Sequence, residues 1–366
     1  MFSVSPVVKL RTVLCAVAFA LAAGAIAFGV WTEARDARLE ALLTEIESAE
    51  ERIPHVGLRE MGSGAETVTL RVWADGERKK VEFAGVTGGK VEARRPSPPR
   101  LPLFKSFPIF LRPGHGQWRR RVKDYGLAVR NYDIVRTGEA TVAGRAADVY
   151  EARARHPGRA SYRVAADREN RFPLRFEVLN AQGTVFRTEF TEISYEKPFG
   201  KTAWREPAAW PQWIKVDREE VPASRISDRA GFAVWAPRWV PRGFELKGTE
   251  VLTVRPQIPE GLREAARRMF PGALPEKLDS TVAHFNYTDG LAVLSVVEVS
   301  KSSELWKLVK KWLPSRPQGE GTVVAQRFQD RFGAAYVMEI EDTVVLVAGN
   351  VSPEVIEPMI RTFERR

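Results

Sequence analysis

Cysteine is almost missing from this 366-residue chain: Cys15 is the only one, so no internal disulfide and no cysteine cluster for zinc or iron–sulfur binding can form. Histidine is nearly as scarce. His55, His115, His156 and His284 are far apart, and none takes part in an H-x-x-x-H or H-E-x-x-H spacing. No G-x-S-x-G elbow occurs, and the Gly85–Lys90 stretch has Val91 where a phosphate loop needs Ser or Thr, so it reads as a hairpin turn. Ser295 falls in an expected strand interior. Glu339 and Glu341 fall near the end of an expected hairpin, where a solvated edge is the ordinary reading. With no positioned nucleophile, base or metal set, the expectation is a protein that is not an enzyme and uses no cofactor.

Long apolar runs are also missing, with one exception. From Thr12 to Thr32 the chain carries no charge and is dense in Ala, Val, Leu and Phe, with Lys9 and Arg11 just ahead of it. About twenty such residues suffice to cross a hydrocarbon core as a helix, and the basic flank directs the remainder of the chain outward. The expected division is therefore a cytoplasmic tip (1–11) and a transmembrane anchor (12–32). Ala25-Ile26-Ala27 offers the alternative of a cleaved signal peptide. Both readings export the body. The residue before Cys15 is Leu14 rather than a small one, which argues against lipid attachment.

The body is globular in composition, with 44% hydrophobic residues and ten Trp. Its net charge of +10 owes much to Arg94, Arg95, Arg100, Arg112, Arg119, Arg120, Arg121 and Lys123. Export removes nucleic acid as a target, so Arg119, Arg120 and Arg121 become candidates for anionic lipid head groups or acidic partner segments. Scattered solubilising charge is the competing explanation.

Glu33–Ile53 has Leu39, Leu42, Leu43 and Ile46 at helical spacing and is stopped by Pro54. Beyond it the period becomes two. Val68, Leu70 and Val72 alternate with polar residues, and Lys79–Phe83 continues the pattern past the Asp75-Gly76 turn. Gly88-Gly89 marks another turn, and the Pro-broken stretch Pro96–Pro113 carries an apolar cluster including Leu101, Phe104, Phe107 and Phe110 that must find cover. Strands are expected over Tyr132–Val142, Arg145–Arg153, Ser161–Asp167, Phe172–Asn180 and Thr184–Tyr195. A long antiparallel sheet with one apolar face closes partly on itself and can leave a hollow. Candidate lining residues are Leu70, Val72, Val81, Phe83, Leu174, Phe176, Val178, Phe186 and Phe190, for which ordinary core packing is the alternative. The first domain therefore spans 33–199, a Pro- and Trp-rich linker spans 200–222, and a mixed second domain spans 223–366. In that second domain helices are expected over Gly261–Phe270, Ser303–Leu313 and Pro353–Glu364, with hairpins at Asp289-Gly290 and Glu341-Asp342.

Two blocks carry a family resemblance. Gly138-Glu139, Val142-Ala143-Gly144-Arg145, Asp167–Asn170, Pro173-Leu174-Arg175 and Asn180-Ala181-Gln182-Gly183 resemble the lipoprotein-carrier-like N-terminal domain of the RseB/MucB sigma-E regulatory proteins. Trp239–Phe244, His284–Ala292 and Val344–Gly349 with Val351-Ser352-Pro353 are similar to the small C-terminal domain of that family. The resemblance implies an α+β, mainly antiparallel architecture: an unclosed LolA/LolB-like β-barrel with an apolar cavity, then a smaller α/β domain. It also implies a regulator that binds the extracytoplasmic part of a membrane anti-sigma factor, with a lipid or lipoprotein acyl chain as a further ligand. A periplasmic lipid or lipoprotein carrier is the alternative. The segment Val56–Gln117 matches the family weakly.

Overall fold

The computed structural model describes residues 35–63, 66–76, 78–87, 124–197, 214–256, 264, 279–310, 325–330 and 333–366. The Thr12–Thr32 run, the Gly88-Gly89 turn, the Pro96–Pro113 stretch, Arg119, Arg120 and Arg121, and the helix expected over Gly261–Phe270 apart from Glu264 lie outside these residues. Among the described residues no helix is long and apolar enough to cross a membrane.

A helix over 35–52 opens the described chain where the apolar spacing predicts one. Its Ile46 and Ala49 are buried, and Leu39 and Leu43 pack against Val129, Tyr132, Ile134 and Ala152. Eight antiparallel strands come next: β1 (His55–Ser63), β2 (Glu66–Asp75), β3 (Arg78–Thr87), β4 (Tyr132–Val142), β5 (Arg145–Ala154), β6 (Ser161–Asp167), β7 (Pro173–Asn180) and β8 (Gly183–Ser194). They line up as β3-β2-β1-β8-β7-β6-β5-β4. Among the described residues β3 and β4 are the two ends, and these eight strands form an open sheet. The β4–β5 turn places Ala143 (φ 50) and Gly144 (φ 75) in the left-handed region, the backbone of a tight twisted hairpin. Between β3 and β4 the short helix Tyr125–Asn131 starts at Asp124, whose carboxylate accepts the Leu127 N–H at 2.8 Å.

The second domain contributes β9 (Ile214–Glu220), β10 (Trp235–Pro237), β11 (Glu245–Pro256), β12 (Ser280–Thr288), β13 (Val293–Ser300), β14 (Ala325–Asp330), β15 (Gly333–Ile340), β16 (Thr343–Gly349) and β17 (Phe363–Arg365). Seven of these form an antiparallel sheet ordered β14-β15-β16-β13-β12-β11-β9, while β10 and β17 pair separately. Helices Ile226–Ala230 and Pro353–Ile360 bury Ile226, Ala230, Ile356 and Met359 against one face, beside Phe285, Leu294, Val296 and Val347. On the other face Trp306, from helix Glu304–Lys310, joins Leu252, Val282 and Leu346.

Two boundaries differ from the sequence reading, and one strand is added to it. Residues 214–220 belong to the second sheet rather than to the linker, because Lys215–Glu220 pair along β11 from Arg255 to Glu250. The closing helix stops at Ile360 instead of Glu364. There Thr362 bonds back to the Met359 carbonyl, and the chain runs on as β17 beside β10. β1, in the stretch of weak resemblance, is a full strand flanked by β2 and β8.

Candidate binding surfaces and the joint between the domains

The apolar residues singled out from the sequence divide into two populations. Val72, Leu174 and Phe190 are completely enclosed. Leu174 and Phe190 share a cluster with Val142, Ala147, Ala165 and Phe172, in which Phe172 meets Phe190 edge-on at 5.6 Å between centroids. Fully burying each of these side chains contributes about 1.5–3 kcal/mol, so they act as core. Toward the β3 end the surface opens. Cross-strand pairing aligns Leu70 with Phe83, Val72 with Val81 and Val68 with Val86 on one face of the β2–β3 ribbon. Val81 is 48% and Phe83 67% exposed, with Val68 and Val86 also open. Such contiguous apolar exposure at the edge of the described sheet marks a surface that a further segment or another molecule can cover. Leu70, Phe176, Val178 and Phe186 are half-buried; Val178 pairs with Phe186, and Phe176 stacks on Tyr162 at 5.9 Å.

The sheet's arginines are largely occupied by carboxylates. Arg163 bridges Glu151 (2.9 Å) and Glu177 (3.2 Å), and Arg175 pairs with Glu189 at 2.9 Å. Asp148 is gripped by Arg136 (2.8 Å), Arg168 (3.0 Å) and Arg171 (2.9 Å). Hydrogen bonding from Arg136, joined by the other two arginines, holds the Asp148 carboxyl far below the usual carboxylate range, against the opposing effect of burial.

The most elaborate polar arrangement joins the two domains. Asp289, at the β12–β13 turn, and Arg159, in the β5–β6 connection, are both buried and pair at 2.8 Å. The Asp289 carboxylate also accepts the Tyr132 hydroxyl (3.2 and 3.1 Å) and the backbone N–H groups of Leu291 (3.1 Å) and Ala292 (2.7 Å). Burial pushes this carboxyl above its ordinary value, with Arg159 and the two N–H groups pulling the other way. Arg159 lies over the Phe244 ring at 4.7 Å and donates to the Arg242 carbonyl. Asn131 spends its amide on three carbonyls, those of Leu127 (3.1 Å), Gly243 (3.1 Å) and Asp289 (2.9 Å). Asn350 reaches Tyr162 at 2.8 Å, and Ser352 N–H donates to the Gly158 carbonyl at 2.7 Å. Two glycines permit the approach. Gly290 (φ +107) has Ala128 and Asp124 backbone where a Cβ would stand, and Gly243 (φ +84) has the Asn131 amide there.

Sequence reasoning read Asp289-Gly290 as a simple hairpin turn and missed the joint, because its partners are 130 residues apart in the chain. The nearest clue is a charged residue beside a glycine in both His284–Ala292 and Trp239–Phe244.

The remaining buried titratable groups do not converge on one centre. Burial lowers the His55 pKa; its Nδ1 lies 2.9 Å from the Ile53 carbonyl oxygen and its ring packs edge-on against Phe172 at 4.7 Å. His284 sits beside Glu250 at 3.2 Å on β12. Glu298 on β13 is fully buried and accepts the Trp235 N–H at 2.8 Å; burial raises its pKa well above the ordinary glutamate value. Among the described residues no group of three His, Cys, Asp or Glu side chains is placed to hold a metal ion.

Comparison with known proteins finds a family signature in part of the chain and a likeness of fold over most of it. The model of the MucB/RseB N-terminal domain matches residues 109–220. The sigma-E factor regulatory protein RseB of Escherichia coli K12 is 27% identical over 128 residues, which is 35% of this chain and 37% of that protein. The match thus spans little more than a third of the curated relative's length. The structure of MucB in complex with MucA(peri) and the Pseudomonas aeruginosa MucA/MucB complex each align over 90% of this chain and 99% of theirs, at TM-score 0.51 and 18% identity, which is a likeness of fold. The N-terminal domain of the MucB/RseB family is thus recognised in residues 109–220, and along 90% of the chain the fold resembles that of MucB.

Proposed function

We propose that the body of this chain lies outside the cytoplasm and binds the extracytoplasmic part of a membrane anti-sigma factor, thereby regulating an envelope-stress sigma factor. The observation that carries this reading is the two-domain fold shared with MucB over 90% of the chain, in a structure where MucB holds MucA(peri). The second domain is what a bare carrier would lack. Its fixed attachment through Asp289 and Arg159 gives a polypeptide partner two sheets to span at once. The run Thr12–Thr32 would tether the body in the plane of its partner, or direct its release into the periplasm if cleaved.

An acyl chain is the second ligand of this reading. It is supported by the open apolar face of Val68, Val81, Phe83 and Val86, with Leu70, Phe176, Val178 and Phe186 partly accessible. Arg119, Arg120 and Arg121 would meet an anionic head group.

The test is affinity purification of the full-length protein from gently solubilised membranes. The expected result is recovery of a single-pass membrane protein with a cytoplasmic sigma-binding part. Repeated recovery of no such protein, under several detergents, overturns the reading. Native mass spectrometry of the same sample would show a bound lipid if the apolar face is a lipid site.

A further inference from the structure

The joint between the domains borders an open, shallow cleft whose walls come from both and whose charged side chains, Arg242 among them, reach solvent. Arg130, Arg155 and His156 line it from the first domain, and Arg242, Gly243 and Glu245 from the second. Its charges are unequal. Arg130 faces Glu245 at 3.4 Å, and Arg155 faces Asp133 at 2.9 Å. Lys247, next to Glu245, is itself balanced by Asp124 at 2.8 Å. Arg242 has no carboxylate partner among the described residues, and neither its side chain nor that of His156 makes a hydrogen bond there. One guanidinium is therefore left over, on a turn held by Arg159, which donates to the Arg242 carbonyl, and by Asn131, which donates to the Gly243 carbonyl.

We propose that this cleft receives a single carboxylate of the partner polypeptide, an Asp or Glu side chain or a chain end, with Arg242 as its counter-ion and His156 as a hydrogen-bond donor. The excess of one positive charge decides the ligand class: it suits a monoanion, whereas a phosphate dianion would leave negative charge uncompensated. Arg130 already faces one carboxylate of the cleft, Glu245, and Arg155 holds another, Asp133, just outside it. Burial, with the nearby Arg159 and Arg242, lowers the His156 pKa, which favours the uncharged ring, and that ring still has an N–H to offer. The proposal rests on the reading that the ligand is a polypeptide. It adds the point of attachment, which exists only while the two domains are docked.

The experiment uses the full chain and the partner recovered from membranes. Arg242→Glu should weaken binding by about tenfold or more, and Arg242→Gln by less, while Arg238→Glu, at an exposed arginine paired with Glu364, should leave it unchanged. Unchanged affinity in Arg242→Glu, with wild-type binding intact, overturns the cleft and spares the broader reading. Failure of the wild type to bind any polypeptide overturns the broader reading instead. A second measurement needs no partner. N-acetylglutamate α-amide at on the order of tens of millimolar should shift the His156 ring resonances and raise its pKa, and Arg242→Gln should abolish both effects. No shift, or a stronger response to inorganic phosphate or to anionic lipid vesicles, refutes the carboxylate assignment.

Discussion

Removing either half of the Asp289–Arg159 pair should have unequal consequences, and the inequality tests how the joint is built. Both groups are essentially inaccessible, with side-chain exposures of 0% and 2%, so deletion of one strands the other in a low-dielectric setting. The general cost of breaking a buried pair this way is about 3–5 kcal/mol, a large part of the ~5–15 kcal/mol that holds a typical domain together. Asp289→Asn leaves Arg159 charged, because a guanidinium does not give up its proton in this range. The full cost should therefore appear at every pH from 5 to 8. Arg159→Met leaves Asp289, which can take up a proton, since burial already raises its pKa. A carboxyl whose folded pKa exceeds its unfolded one contributes stability below the unfolded value and loses it as pH climbs through the folded value. Arg159→Met should thus be milder than Asp289→Asn at pH 5 and approach it by pH 8. Chemical denaturation of the purified protein at both pH values gives the two differences. A single transition splitting into two would show that the cost falls on domain docking. Equal losses in the two variants at pH 5, with no pH dependence in Arg159→Met, would refute the argument.

Two further outcomes are expected from the same physics. Glu298 is enclosed with one backbone N–H as partner, so the wild type should lose stability as pH rises above the ordinary glutamate range of about 4.3; Glu298→Gln keeps the acceptor for Trp235 and should flatten that slope between pH 5 and 8, as followed by thermal unfolding. Gly290→Ala combines a left-handed backbone with a collision against Ala128 and Asp124, for which backbone strain alone costs on the order of 1–3 kcal/mol; a variant as stable as wild type would show that the domains do not meet there.

The hairpins were legible because each alternates cleanly and turns at a recognisable dipeptide: β4 and β5 about Ala143-Gly144, β15 and β16 about Glu341-Asp342. β9 escaped recognition because its IKVDREE sequence comes after a Trp- and Pro-rich stretch whose composition dominates the window, and its pairing partner, β11, begins only at Glu245. The helix Tyr125–Asn131 is barely two turns, too short for an apolar period to register, and is fixed by the Asp124 cap and by docking against the β12–β13 turn. Apolar strand residues could be assigned to one face, but alternation carries no information on which of them a neighbouring element covers. Val72 and Val81 are cross-strand partners, yet one is sealed and the other open because β3 has no further described strand beyond it. The joint was invisible for the same reason: its residues are ordinary in sequence and acquire meaning only in juxtaposition.

The matched acids and bases along the sheet have a consequence for the chain's overall charge. Residues 88–123 contain ten Lys and Arg against one Glu, which accounts for nine of the ten net positive charges, while the arginines of β5 to β8 are answered locally by Glu151, Glu177, Glu189 and Asp148. Long-range attraction therefore originates almost wholly from one stretch of sequence, and cohesion of the sheet draws on short contacts that counter-ions screen poorly. Raising the ionic strength should silence the molecule's pull on acidic surfaces long before it loosens the scaffold.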